Sequence, residues 1–78
     1  MPQITVYSTP TCPYCVMAKD YFKSKDFTYA DIDVAADSAK ADEMIQKSGQ
    51  MGVPVIDIDG TVIVGFDKNK INAALGIQ

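Results

Sequence analysis

Apolar and polar residues follow two different periods along the chain, and these periods predict strands and helices. Residues 3–8 are rich in β-branched and aromatic side chains, which favours a strand. From 13 to about 25 the apolar residues recur every three or four positions, which predicts a helix. Pro13 suits its first position, because a helix leaves the backbone N–H there unused. The apolar face of this helix consists of Cys15, Ala18 and Phe22.

A second strand and a second helix follow. Residues 27–34 again carry β-branched and aromatic side chains, which predicts the strand. Asp37 or Ser38 can cap a helix after it, and Gly49 is placed to end that helix. The residues that share its inner face are Ala41, Met44, Ile45 and Ser48.

The last third of the chain predicts a hairpin and a third helix. Two short strands at 54–58 and 61–64 flank the Asp-Gly pair at 59–60, which is a favoured two-residue turn. Asp67 can cap the third helix and Gly76 can close it. The residues of this helix that face inward are Ile71, Ala74 and Leu75.

The order of these elements, βαβ followed by ββα, predicts an α/β fold. A parallel strand pair joined by a right-handed helical crossover and extended by an antiparallel hairpin forms one mixed sheet. We therefore expect a four-stranded sheet in the order 2-1-3-4 with three helices on its faces. The end of the first strand would carry the functional site, as in other open α/β sheets.

Length and composition indicate one globular domain, which we assign to residues 1–78. A hydrophobic share of 47% is enough for a core, and a charged share of 22% keeps the surface polar. Neither a signal peptide nor a run of apolar residues long enough to cross a bilayer is visible. We expect a cytoplasmic monomer that does not bind a membrane.

The charge pattern argues against nucleic acid as a partner. The net charge is −3, with seven lysines and no arginine, so a basic surface for phosphates is missing. An acidic run is expected to form a solvated face without chemistry. Its members are Asp31, Asp33, Asp37, Asp42 and Glu43.

The only two cysteines, in Cys12-Pro13-Tyr14-Cys15, carry the candidate chemistry. Cys12 would precede the first helical turn, where free N–H groups and the helix dipole stabilise an anion, so its thiol should ionise easily. Cys15, one turn later, would lie beneath it, shielded from water and placed to attack a mixed disulfide at Cys12. We predict that Cys12 attacks and Cys15 resolves.

Two alternatives for the cysteine pair give it no redox role. A structural zinc site normally takes four ligands, and the chain has no histidine and no second cysteine pair. A permanent disulfide over two intervening residues closes too small a loop to restrict the unfolded chain much. The redox interpretation is therefore favoured, with no metal site.

The tetrad at 12–15, the order of elements and Val53-Pro54 before the third strand together resemble the glutaredoxins, which have the thioredoxin fold. The resemblance covers nearly the whole chain. Thioredoxins instead usually carry a tryptophan before a C-G-P-C motif, and this chain has no tryptophan. The resemblance implies a thiol-disulfide oxidoreductase that holds no bound cofactor and uses glutathione as its reducing co-substrate. Disulfide-containing or glutathionylated proteins would be its substrates.

The resemblance also implies the roles of individual residues. Cys12 and Cys15 would be catalytic. A cis bond before Pro54 would hold the backbone of Val53 against the cysteines, where it pairs with a bound thiol peptide as an added strand would. The substrate-binding residues would be Thr11, Pro13, Tyr14, Val53, Pro54, Gly65, Phe66 and Asp67.

Four positions depart from the family's glutathione site. Thr9 stands where a lysine often meets a glutathione carboxylate, and Gly52 replaces a threonine before the Val-Pro pair. Val64 replaces the first residue of a double glycine. Lys68 stands where an aspartate often binds the amino group of glutathione, although Asp67 could substitute by a one-residue shift. We expect glutathione binding to be weaker than in a typical member.

Two other functions stay open at this point. The Gly65-Phe66 pair is similar to the glutaredoxin-like electron donors that thioredoxin reductase recharges, for example for ribonucleotide reductase, although these generally lack the C-P-Y-C tetrad. Some glutaredoxins instead form a dimer that bridges an iron–sulfur cluster, with glutathione supplying thiolates. Pro13 beside Cys12 and the altered glutathione site argue against that dimer.

Overall fold

The computed structural model describes residues 3–76, which form one sheet and three helices. The strands are β1 (Ile4–Ser8), β2 (Ala30–Asp33), β3 (Val55–Ile58) and β4 (Thr61–Val64). The helices are α1 (Pro13–Ser24), α2 (Ser38–Ser48) and α3 (Lys68–Leu75). Within these residues, no helix is long and apolar enough to cross a membrane.

The sheet has the order β2-β1-β3-β4, which confirms the predicted order 2-1-3-4 and the α/β fold. β2 runs parallel to β1, and β1 pairs antiparallel with β3. β3 and β4 form the hairpin. Its turn residues Asp59 and Gly60 both have positive φ, 51° and 93°, as a tight two-residue turn that follows the twist of the strands requires. The site is thus placed at the end of a central strand.

β2 is shorter than predicted: it begins at Ala30, whereas the sequence predicted a start at residue 27. Ala30 pairs with Thr5, and β1 begins only one residue earlier, at Ile4, so residues 27 and 28 have no strand residue opposite them. Phe27 and Tyr29 pack against the hydrophobic core without joining the sheet. β3 similarly begins one residue later than predicted, after Pro54, which lacks a backbone N–H for the ladder.

The core lies on both faces of the sheet. On one face, α1 and α3 pack against the strands, with Phe22 and Ile71 fully buried. On the other face, Met44 of α2 packs against Tyr7 and Val55. Both cores meet at the central strands, so β1 is fixed from two sides and the loop after it starts from a rigid position.

The ends of the second and third helices follow the predicted capping chemistry. The Asp37 carboxylate accepts hydrogen bonds from the N–H groups of Ala39 (3.1 Å) and Lys40 (3.2 Å). The Asp67 carboxylate accepts one from the N–H of Lys70 at 3.2 Å. Each of these helices ends at a glycine in the left-handed conformation, Gly49 for α2 and Gly76 for α3.

Candidate active site

Cys12 occupies the N-cap of α1, where the chain turns from the sheet into the helix. Its N–H donates to the carbonyl of Thr9 at 3.4 Å, which closes the turn after β1. Pro13 takes the first helical position, as predicted. The Cys12 sulfur accepts a hydrogen bond from the Cys15 N–H at 3.2 Å. A sulfur in this position is stabilised as an anion by a helix N–H group and by the helix dipole.

The loop before β3 approaches Cys12 from the other side. The Cys12 thiol donates to the carbonyl oxygen of Val53 at an S···O distance of 3.7 Å. The Val53-Pro54 peptide bond is cis, as the family resemblance implied. The Pro54 carbonyl in turn accepts the N–H of Gly65 at 2.8 Å, so the two loops that flank the thiol hold each other in place.

The two thiols, both free, differ sharply in environment. Cys15 is fully buried, whereas Cys12 is partly exposed to solvent. Burial, followed by the hydrogen bond with Cys12, raises the pKa of Cys15 to about 11, and a backbone hydrogen bond from Thr9 and the charge of Lys19 act in the opposite direction. At neutral pH an external disulfide therefore meets a reachable sulfur at Cys12 and a protonated, sheltered one at Cys15.

A groove of about 330 Å³ adjoins the dithiol. It brings together most of the residues predicted to bind substrate, and Val64, which was not among them. Its lining consists of Tyr14, Val53, Pro54, Val64, Gly65, Phe66 and Asp67. Thr11 and Pro13 are exposed beside Cys12 but do not line this groove.

Val64 and Gly65 shape the far wall of the groove. Gly65 has φ of 82°, a conformation that side chains other than glycine rarely adopt, and this turns the chain from β4 toward α3. Val64 is half-exposed in the groove wall. In the family a glycine often stands at the position of Val64. The sequence could have indicated that Val64 lines the groove, because a branched side chain at this position narrows the space for a ligand.

The N-terminus of α3 forms one end of the groove. Asp67 lines the groove, and its carboxylate also caps the helix. The neighbouring Lys68 lies with its Nζ 5.4 Å from the centre of the Tyr21 ring. It lines a second depression of about 350 Å³ that meets the groove at Phe66. A positive charge therefore lies just past the carboxylate.

The acidic run is largely exposed to solvent, as the sequence suggested, and several of its members also hold specific partners. Asp31 pairs with Lys19 at 3.1 Å and accepts the Ser8 hydroxyl at 2.9 Å. Glu43 accepts the hydroxyl of the buried Tyr7 at 2.6 Å, and this hydrogen bond lowers the pKa of the Glu43 carboxyl. These partners are distant in sequence, so only the folded chain brings them together.

The arrangement suits thiol-disulfide exchange. A partly exposed thiol lies at a helix N-terminus, a buried thiol follows one turn later, and a backbone carbonyl borders the first sulfur. Among residues 3–76, no group of three or more cysteine, aspartate or glutamate side chains is placed to hold a metal ion.

Comparison with protein-family models matches residues 4–63 to the family described as glutaredoxin. A glutaredoxin-like 8.6 kDa protein encoded in the rubredoxin operon of Clostridium pasteurianum is 52% identical over 69 residues, which cover 88% of this chain and 92% of that protein. Glutaredoxin 3 of Escherichia coli strain K12 is 39% identical over 67 residues, covering 86% and 81% of the two chains.

Two solved structures of similar fold are a glutaredoxin-like redoxin and a glutaredoxin bound to glutathione. The glutaredoxin-like protein NrdH-redoxin from Escherichia coli, described as having a thioredoxin-like activity profile, superposes with a TM-score of 0.79 at 25% identity, covering 91% of this chain and 92% of that one. A buckwheat glutaredoxin in complex with glutathione superposes with a TM-score of 0.76 at 27% identity, covering 96% and 71%.

Proposed function

This chain belongs to the glutaredoxin family of thiol-disulfide oxidoreductases, and we propose that it reduces protein disulfides and glutathione mixed disulfides through Cys12 and Cys15, with glutathione as the reductant. The observation that carries the proposal is the position of Cys12. Its sulfur is partly exposed at the N-terminus of α1 and lies 3.7 Å from the Val53 carbonyl oxygen, at the edge of a ligand-sized groove.

In the first step the Cys12 thiolate attacks one sulfur of the substrate disulfide. A mixed disulfide forms at Cys12, and the other substrate sulfur leaves as a thiolate that takes up a proton. The Cys15 N–H stabilises the attacking anion. The backbone of the partly buried Val53 lines the groove, where an extended substrate segment would pair with it as an added strand pairs with an edge strand.

The second step depends on the substrate. With a protein disulfide, the Cys15 thiolate attacks the Cys12 sulfur, closes a Cys12–Cys15 disulfide and releases the reduced protein. With a glutathionylated protein, the protein leaves first as a thiolate, and free glutathione then attacks the Cys12–glutathione disulfide. Two glutathione molecules reopen the Cys12–Cys15 disulfide in the first route, and neither route requires a bound metal or cofactor.

Several features support glutathione as the small thiol. The groove has a volume of about 330 Å³ and joins the Val53 backbone to the N-terminus of α3. Free N–H groups at such a helix start favour a carboxylate, and Asp67 offers a negative charge to an ammonium group. The similar buckwheat protein binds glutathione. Val64 and Lys68 predict weaker binding than in a typical member, because one narrows the groove and the other repels an ammonium.

A second candidate function is an electron donor that thioredoxin reductase recharges. Phe66 follows Gly65 at the entry to α3, as in the glutaredoxin-like donors that the sequence resembles. The NrdH-redoxin from Escherichia coli, with its thioredoxin-like activity profile, covers nearly the same length as this chain. In this function the chemistry at Cys12 and Cys15 is unchanged, and only the source of electrons differs.

One assay separates the two reductants. The oxidised protein is supplied with NADPH and either glutathione plus glutathione reductase or thioredoxin reductase alone. We expect faster NADPH consumption with the glutathione system. Consumption only with thioredoxin reductase would replace the first proposal with the second.

A companion assay tests the two chemical routes. Cys15→Ser should still reduce a glutathionylated peptide but lose the reduction of a protein disulfide such as that of insulin. Cys12→Ser is the matched control and should lose both activities. Loss of both in Cys15→Ser would contradict the scheme in which glutathione acts alone on the adduct.

A further inference from the structure

The resolving thiol has to lose a proton before it attacks, and its surroundings oppose this loss. Cys15 is fully buried, and in the reduced protein burial, followed by the hydrogen bond with Cys12, raises the pKa of its thiol to about 11; burial, the larger of the two causes, also acts in the mixed disulfide. Only a small fraction of such a thiol is ionised at neutral pH, whereas the thiolate is the attacking species. A positive charge close to Cys15 would therefore speed the second step of the reaction.

Lys19 is placed to supply that charge. It follows Cys15 by four residues on α1, and residues at this spacing lie next to each other on a helix surface. Its side chain is only 20% exposed, so the charge acts through surroundings less polar than bulk water. The Nζ atom pairs with Asp31 Oδ2 at 3.1 Å, which fixes the ammonium beside β2.

Asp31 is itself held from a second side. The hydroxyl of Ser8, which is buried at the end of β1, donates to Asp31 Oδ1 at 2.9 Å. Lys19 and Ser8 thus bind different oxygens of the same carboxylate. The carboxylate acts as an anchor that keeps the lysine ammonium beside the first turns of α1.

A cavity connects this cluster with solvent. It has a volume of about 250 Å³, which is room for several water molecules. Thr9 lines the cavity, and its backbone also hydrogen-bonds to Cys15. The residues that line it are Ser8, Thr9, Pro10, Lys19, Asp31 and Asp33. Lys19 and Thr9, which both act on Cys15, therefore meet solvent at this cavity.

The other charged groups on this side are already engaged. Asp33 of β2 accepts the N–H groups of Ala35 (2.9 Å) and Ala36 (3.3 Å), and Asp31 holds Lys19. Cys12, the other titratable group that acts on Cys15, carries no charge in the mixed disulfide, where its sulfur is bonded to the substrate. Lys19 acts in the favourable direction, because its charge lowers the pKa of Cys15.

We propose that Lys19, anchored by Asp31 and Ser8, is a positioning residue for the resolving step that promotes ionisation of Cys15 in the mixed disulfide. The inference rests on the proposed function. Cys15 gives its proton to water, and its thiolate donates an electron pair to the Cys12 sulfur. The Cys12–Cys15 bond forms as the bond between Cys12 and the substrate sulfur breaks, and the substrate leaves as a thiolate that takes up a proton.

A coloured aryl disulfide separates the two steps in one stopped-flow trace. Attack by Cys12 on 5,5′-dithiobis(2-nitrobenzoate) releases one coloured thiolate in a phase that depends on reagent concentration. Attack by Cys15 releases the second in a phase that does not. Both phases are followed from pH 6 to pH 11 in the wild type, Lys19→Gln, Lys19→Arg and the exposed-lysine control Lys23→Gln. Cys15→Ser identifies the first phase, because it lacks the second.

We expect Lys19→Gln to slow the second phase about twofold at pH 7, with the limiting rate at alkaline pH unchanged or higher, since a less acidic thiol is a stronger nucleophile. Lys19→Arg and Lys23→Gln should follow the wild type. A second phase that matches the wild type in Lys19→Gln, or that is slowed equally in Lys19→Arg or Lys23→Gln, would overturn the inference.

The first phase keeps this test separate from the proposed function. If Cys12 fails to react in the wild type and in Cys15→Ser, the proposed function itself is wrong. If the first phase is normal and the second is indifferent to Lys19, only the role of Lys19 is wrong.

Discussion

The carbonyl oxygen of Val53 lies 3.7 Å from the sulfur of Cys12, although 41 residues separate the two in the chain. The Cys12 sulfur therefore has two backbone neighbours: the Val53 carbonyl, which accepts its thiol proton, and the Cys15 N–H, which donates to the sulfur and stabilises its anion. A thiol held between these two loops can be approached from the groove side, while Cys15 stays covered.

Alkylation should distinguish the two cysteines. With one equivalent of iodoacetamide at pH 7.5, we expect Cys12 to be labelled at least about tenfold more than Cys15, because Cys15 is buried and its thiol has a pKa of about 11. Peptide mass spectrometry gives the ratio. Both residues should react in denaturant, and equal labelling of the folded protein would contradict the assignment of roles.

The burial of Cys15 should also make the stability of the reduced protein depend on alkaline pH. Between the ordinary thiol pKa of about 8.5 and about 11, the unfolded chain releases this proton and the folded chain keeps it, so the free energy of unfolding falls as pH rises. We expect a loss of about 2–3 kcal/mol over this range that Cys15→Ser lacks. Urea denaturation at pH 8 and pH 11 measures the difference, and parallel losses in both proteins would refute it.

Two substitutions at Asp67 should separate its helix cap from its ligand contact. Asparagine also caps helices, so Asp67→Asn should keep the stability of the wild type, whereas Asp67→Ala should lose about 1 kcal/mol. Both remove the negative charge and should raise the KM for glutathione about two- to fivefold. Denaturation and the glutathione-reductase-coupled assay measure the two effects. A wild-type KM in Asp67→Asn would leave Asp67 with the capping role alone.

Lys68→Asp should improve the use of glutathione. The substitution replaces a charge that repels the ligand's ammonium with one that attracts it, and an acid in the first turn of α3 is compatible with the helix dipole. We expect the KM for glutathione to fall about two- to fivefold.

Lys70→Asp is the matched control for that substitution, because it changes the net charge equally within the same helical turn. It should leave the KM close to that of the wild type. An equal fall in both variants would assign the effect to overall charge and not to the position of Lys68.

The buried hydroxyl of Tyr7 should contribute to stability by tying β1 to α2. It donates to Glu43 at 2.6 Å and accepts from Lys47 at 3.1 Å, and Lys47 also pairs with Asp57 at 2.9 Å. We expect Tyr7→Phe to lower the melting temperature by about 5 °C at pH 7. The exposed Tyr14→Phe is the control and should melt like the wild type.

The same hydrogen bond gives this prediction a pH signature. It lowers the pKa of Glu43, so its stabilisation is present above the ordinary carboxyl pKa and is lost as pH falls through the lowered value. The difference between Tyr7→Phe and the wild type should therefore shrink below about pH 4. A difference that stays constant down to pH 2.5 would show that Glu43 does not contribute.

Features that depend on neighbouring residues were predicted correctly from the sequence. Asp37 and Asp67 begin their helices because a short carboxylate reaches the N–H groups two or three residues later. The helix face of Cys15 and Phe22 followed from its period, and the order of strands followed from the handedness of crossovers. The start of β2 was wrong, because the extent of a strand depends on where its partner begins.

By itself, the sequence determined the dithiol, the helix start that places Cys12, and the order of the four strands. These features depend on the chemistry of neighbouring residues and on the spacing of apolar residues, both of which can be read within a short stretch of the sequence. Only the tertiary structure decided how deeply Cys15 is buried, how close the Val53 carbonyl oxygen comes to the Cys12 sulfur, and that Asp31 anchors Lys19. Contacts between distant segments form when the core aligns the elements, so their distances and environments are set by packing.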